Sequence, residues 1–144
     1  MASPASPAAL RLLAMDEEDL GVISAALQDA VLKVGDITYE KATRRLTLVF
    51  NRFRWEGGKR ERVRAALQLG DVQAVQARRI RRAPKDAILE LLTVSFEPGE
   101  APGGVLTLAF AGDGDLRVTV DCIDAVLADI STPWPTPREP GHAG

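Results

Sequence analysis

The stretch Arg44 to Arg64, RRLTLVFNRFRWEGGKRERVR, narrows the choice of fold most, because two runs of alternating side chains flank a pair of glycines. Strand side chains alternate with a period of two, so Leu46, Leu48 and Phe50 share one face while Thr47, Val49, Asn51, Phe53 and Trp55 share the other. With Gly57 and Gly58 as a two-residue turn, Arg54 falls opposite Glu61, Arg52 opposite Val63, Phe50 opposite Ala65 and Leu48 opposite Leu67. That register gathers Leu46, Leu48, Phe50, Val63, Ala65, Leu67 and Leu69 on one apolar face. A slip of one residue would scatter them, so turn chemistry and apolar pattern support the same pairing.

The second face then sets Asn51, Phe53 and Trp55 against Arg64, Arg62 and Arg60. Rings and guanidinium groups interleave there. An exposed arginine on a ring is worth about 0.5 to 1 kcal/mol, and its fork matches carboxylate or phosphate oxygens bidentately. Ordinary cross-strand pairing is the commoner reason for such an alternation, since it is the normal unit of sheet stabilisation. These six residues are the candidate anion- or partner-binding set.

At 144 residues the chain can bury a substantial core. Its composition divides it into an Ala/Ser/Pro tail over residues 1–9, one β-rich domain over 10–131 and an extended Pro-rich tail over 132–144, where Trp134 is placed to dock on the body. No run of about 18 apolar residues occurs, so no membrane insertion is expected. MASPASPAAL lacks the charged start and apolar run of a signal peptide, which implies a soluble cytoplasmic protein. The lone Cys122 has no internal disulfide partner and fits a reducing compartment.

The net charge of −2 conceals a division. Residues 41–85 hold 14 of the 18 Lys and Arg with only Glu56, Glu61 and Asp71 as acids, a net of +11, and the remainder nets −13. Such asymmetry marks either an anionic partner or compensation within the fold or across a homodimer. The near-zero total favours compensation, because polyanion binders usually keep a basic excess over the whole domain.

Taken in order, Leu10 to Ala14 reads as a short edge strand. Asp16 caps a helix with Glu17, Glu18 and Asp19 in its first turn, and Leu20, Ile23, Ala26, Leu27 and Ala30 follow at helical spacing. The four acids therefore read as a helix start rather than a metal site. Residues 31–39 become strand-like around a bulge at Gly35-Asp36. After the central hairpin, Val72 to Arg79 is a strand, the basic run to Lys85 a solvated loop, and Ala87 to Phe96 a strand near the sheet centre. A three-residue Gly112-Asp113-Gly114 loop, with Gly114 left-handed, pairs Phe110 with Leu116, Leu108 with Val118 and Leu106 with Val120. Asp121 is expected to cap a last helix whose stripe is Ile123, Val126, Leu127 and Ile130.

Catalytic chemistry finds little footing. The single histidine, His142, lies in the terminal tail, Cys122 has no adjacent cation, and one His with one Cys does not build the usual zinc sites. Gly57-Gly58-Lys59-Arg60 lacks the hydroxyl and the strand-to-helix setting of a phosphate loop. No catalytic residue, metal ligand or cofactor is assigned.

The expected fold is α+β and mostly antiparallel: about seven strands in a bent sandwich or partly open barrel, with an N-terminal and a C-terminal helix. That element order resembles pleckstrin-homology-like domains, in which a basic loop receives an inositol phosphate; the equivalent loop here offers Lys41, Arg44 and Arg45. Segments spanning most of the chain resemble a family of short bacterial proteins classed as a domain of unknown function. They are Asp16-Glu17-Glu18-Asp19-Leu20, Leu27-Gln28-Asp29-Ala30, Val34-Gly35-Asp36, Asn51-Arg52-Phe53-Arg54-Trp55-Glu56 and Phe96-Glu97-Pro98-Gly99-Glu100-Ala101-Pro102. The resemblance implies one self-contained domain and supplies no activity. The leading expectation is a non-catalytic interaction domain holding an anionic partner, an acidic segment of another protein. The alternatives are RNA or single-stranded DNA on the same face, and a structural homo-oligomer.

Overall fold

A computed structural model describes residues 9–137. The expected N-terminal tail, apart from Ala9, and the last seven residues of the C-terminal tail, including His142, lie outside the described residues. The chain forms β1 (Arg11–Ala14), α1 (Glu17–Ala26), β2 (Val31–Lys33), β3 (Ile37–Glu40), β4 (Arg45–Phe53), β5 (Glu61–Leu69) and β6 (Val72–Arg78). It continues with β7 (Ile88–Pro98), β8 (Gly104–Phe110), β9 (Asp115–Val120), β10 (Ala125–Asp129) and β11 (Trp134–Pro135).

The strands make one open antiparallel sheet in the order β1-β10-β5-β4-β2-β7-β8-β9-β6, with β3 beside β4 and β11 beside β5. Among the described residues, eleven strands and one α-helix replace the expected seven strands and two helices, and the pleckstrin-homology-like order does not hold. The largest correction is at the C-terminus. Residues 123–129 form no helix; β10 pairs with β5 and β1. Apolar residues at nearly every position there satisfy a period of 3.6 and a period of two alike, so periodicity alone does not separate them. The strand period wins: Ile123, Ala125 and Leu127 are buried, while Ile130 of the expected helical stripe is 55% exposed.

At the N-terminus the edge strand and the helix start hold, but α1 ends at Ala26, short of the expected Leu27 and Ala30. β1 is an edge strand, and the Asp16 side chain accepts the Asp19 amide at 2.8 Å at the start of α1. Leu20, Ile23 and Leu27 from this segment enter a single apolar cluster fed by both halves of the sheet. At Gly35-Asp36 a 3-10 turn over Val34–Asp36 takes the place of a bulge, separating β2 from β3 while both remain beside β4. β7 is central, as expected, and bridges the halves.

The central register also holds: Leu48 faces Leu67, Phe50 faces Ala65 and Arg52 faces Val63. The turn does not. Pairing stops at Phe53 with Arg62, and residues 54–60 form a wider loop in which the Gly57 amide donates to the Arg54 carbonyl at 3.2 Å. In the second hairpin Leu108 faces Leu116 and Leu106 faces Val118, two residues from the expected register. The left-handed residues are Gly112 and Asp113, not Gly114. A shift of two preserves the faces, which is why Leu106, Leu108, Phe110, Leu116, Val118 and Val120 are still all buried.

Gly104 is required for a different reason. A Cβ there would lie 2.4 Å from the Glu97 carbonyl oxygen and 2.5 Å from Phe96 Cζ, because the Phe96 ring lies against this backbone. Gly104→Ala is expected to cost about 1 to 3 kcal/mol through displacement of β7 from β8. Chemical denaturation checks this; an unchanged midpoint would show that both the Phe96 ring and the Glu97 backbone give way at little cost.

Candidate functional site

On β4 and β5 the residues on the face opposite Leu46, Leu48 and Phe50, at neighbouring register positions, are Asn51 with Arg64 and Phe53 with Arg62. Asn51 holds both arginines. Its backbone carbonyl accepts Arg62 Nη1 at 3.2 Å, and its side-chain oxygen accepts Arg64 Nη1 at 3.4 Å. Arg64 remains 42% exposed and also reaches Asp36 at 3.6 Å. Arg62 is half-buried. Burial pushes its guanidinium below the usual arginine value, opposed by the charges of Glu90 and Asp29.

The six expected residues are only partly brought together. Phe53 is 4% exposed and meets the Trp55 ring edge-on, with centroids 4.8 Å apart. Trp55 is 40% exposed but lies past the end of the ladder, so its expected pairing with Arg60 does not form. Arg60 is exposed in the loop, where its carbonyl accepts the Thr136 amide at 2.9 Å. Trp134 docks on the body as expected, and does so by pairing with Arg62. The acidic helix α1 packs against β7 and β1, not over the hairpin.

The same hairpin carries a feature that alternation should have exposed. Arg52 and Arg54 continue the phase of Leu46, Leu48 and Phe50, so both point to the buried side. Arg52 is fully buried. Its Nε and Nη2 donate to the two Asp129 oxygens at 2.9 and 3.0 Å, and its Nη1 and Nη2 donate to Glu56 at 3.1 and 2.7 Å. Nη1 also reaches the Phe53 carbonyl at 3.3 Å. Burial alone would lower its affinity for a proton, but the hydrogen bonds to Glu56 and Asp129 outweigh it and hold the charge. The Arg52 hydrogen bond likewise holds the Glu56 carboxyl below its usual range. Beside this group, Arg54 donates to Glu61 at 2.7 Å.

The Asp129 side chain is 3% exposed and accepts the Leu10 amide at 2.9 Å, so the Arg52–Asp129 pair ties together the hairpin loop, β4, β10 and the residue that leads into β1. Ion pairs also absorb part of the charge division. Arg44 meets Asp121, Arg64 meets Asp36 and Arg78 meets Asp115, each joining the basic segment to acids outside it. Compensation within the fold is therefore real. Cys122 sits in a turn, where burial and a hydrogen bond to Asp71 at 3.3 Å push its thiol up and keep it protonated.

Among the described residues no group of three His, Cys, Asp or Glu is arranged to hold a metal ion, and no helix is long and apolar enough to cross a membrane. No curated protein and no solved structure matches the chain. A family described as "Protein of unknown function (DUF2948)" matches residues 10–142, spanning the β4–β5 hairpin and every strand of the sheet. The chain belongs to that family.

Proposed function

We propose that the chain is a non-catalytic binding domain that holds an acidic segment of another protein along Arg64, Arg62 and Arg60, with Trp55 at one end. The observation that carries this reading is the fixing of two neighbouring guanidinium groups by Asn51 before any partner arrives. Preorganised groups lose less freedom on binding. Arg62 and Arg64, two residues apart on β5, are separated by ~6.7 Å, the spacing of alternate carboxylates on an extended peptide, and Arg60 follows in the adjoining loop. Phe53 serves as a support beneath Trp55 rather than as a contact.

A fluorescently labelled peptide of alternating Glu and Ser is the direct probe. Paired charge reversal, Arg60→Glu with Arg64→Glu, is expected to weaken its binding about tenfold or more, and added salt to weaken it further. Equal binding by the reversed variant, or no binding by either, would end the reading. The exposure of Trp55 favours a second reading, single-stranded nucleic acid, which differs in its signature: affinity for oligo-dT falling steeply with salt and lost in Trp55→Ala.

A further inference from the structure

β3 is paired only with β4 and β6 only with β9 among the described residues, so two sheet edges face one another without a ladder between them. The gap is closed at its ends. At one, the Val72 amide donates to the Arg44 carbonyl at 3.0 Å and Arg44 Nε donates to the Val72 carbonyl at 3.3 Å. At the other, Gly35 donates to the Lys85 carbonyl at 2.7 Å and Val34 to that of Ala87 at 2.9 Å. Between them lies a cavity of about 390 Å³, a size usual for small-molecule sites.

Its walls and its mouth differ in character. Ile37, Val75, Ala77 and Ile80 line it over a floor of Leu46 and Leu116, whereas Arg82 and Lys85 stand exposed at the opening. No acid lies between Val72 and Lys85 in the sequence, and the exposed Asp86 that follows is not among the lining residues. Arg78 is taken by Asp115, but neither Arg82 nor Lys85 meets a carboxylate within 4.0 Å among the described residues. An apolar slot with a cationic rim selects an apolar body that ends in an anion.

We infer that the slot between β3 and β6 binds a small amphipathic carboxylate, its chain between Ile37, Val75 and Ala77 and its head at Arg82 and Lys85. The volume fits about a dozen heavy atoms at roughly 30 Å³ each. Larger acids would leave their tails in water. This site is separate from the hairpin face and survives or fails independently of it.

Calorimetric titration of the full chain with decanoate tests the inference, alongside decanol, acetate and decyltrimethylammonium. Decanoate should bind at least about tenfold more tightly than each of the other three, since each lacks the anion or the tail or reverses the charge. Arg82→Glu with Lys85→Glu should reduce decanoate affinity about tenfold or more, and both side chains are exposed, so the fold is not at risk. Ala77→Phe, which fills the slot, should abolish binding, with its folding verified by thermal melting. Absence of decanoate binding, equal affinity for decyltrimethylammonium, or full binding by folded Ala77→Phe would each overturn it.

Discussion

Arg52→Met is expected to lower folding stability by about 3 to 5 kcal/mol, the cost of stranding a buried charge whose partner has been removed. The guanidinium has no exposed surface and Asp129 is 3% exposed, so the remaining carboxylate has little water to turn to. Glu56 is different. At 42% exposure it can rotate outward, which places most of the loss on Asp129. Arg52→Lys should rescue only in part, because three N–H groups on one nitrogen cannot replace the five hydrogen bonds of the planar guanidinium.

A second variant separates the loss of a partner from the loss of packing. Removing both charges, Arg52→Met with Asp129→Leu, should recover most of the stability, since well-packed apolar groups often replace a buried ion pair at little cost. Urea unfolding followed by tryptophan fluorescence measures both. A single variant that loses less than about 1 kcal/mol, or a double variant no better than the single, would show that the pair is not buried as described.

Ala125→Asp and Ile130→Asp should have opposite outcomes. Ala125 is 2% exposed between the apolar register partners Leu69 and Ala14, so an aspartate there would bury a carboxylate and should cost about 3 kcal/mol or more. Ile130 is 55% exposed, and the same change there should stay within about 0.5 kcal/mol. A helix over this segment would reverse the order, because its apolar stripe includes Ile130 and leaves Ala125 at its margin. The two midpoints therefore decide between strand and helix without a further structure.

The candidate face shows how far local pattern reaches. Alternation placed Asn51 beside Arg64 and Phe53 beside Arg62, and the register agrees. Pairing Trp55 with Arg60 required a tight glycine turn. The Arg54 side chain is drawn inward to Glu61, and a Cβ at Gly57 would lie 2.9 Å from Arg54 Nη1, so the loop bends around a buried cation. Exposure of Phe53 was equally out of reach, because it depends on what neighbouring elements cover.

Local sequence signals determined the helix start at Asp16, the apolar face of β4 and β5 and the central place of β7, because a capping residue or a period of two acts over a few neighbours. Tertiary structure decided that residues 125–129 form a strand, that Arg52 belongs inside the molecule and that β3 and β6 stay apart. Each of those outcomes depends on groups far along the chain. Asp129 is drawn to the buried face by a guanidinium 77 residues away, and β10 finds its edges only once β5 and β1 are in place.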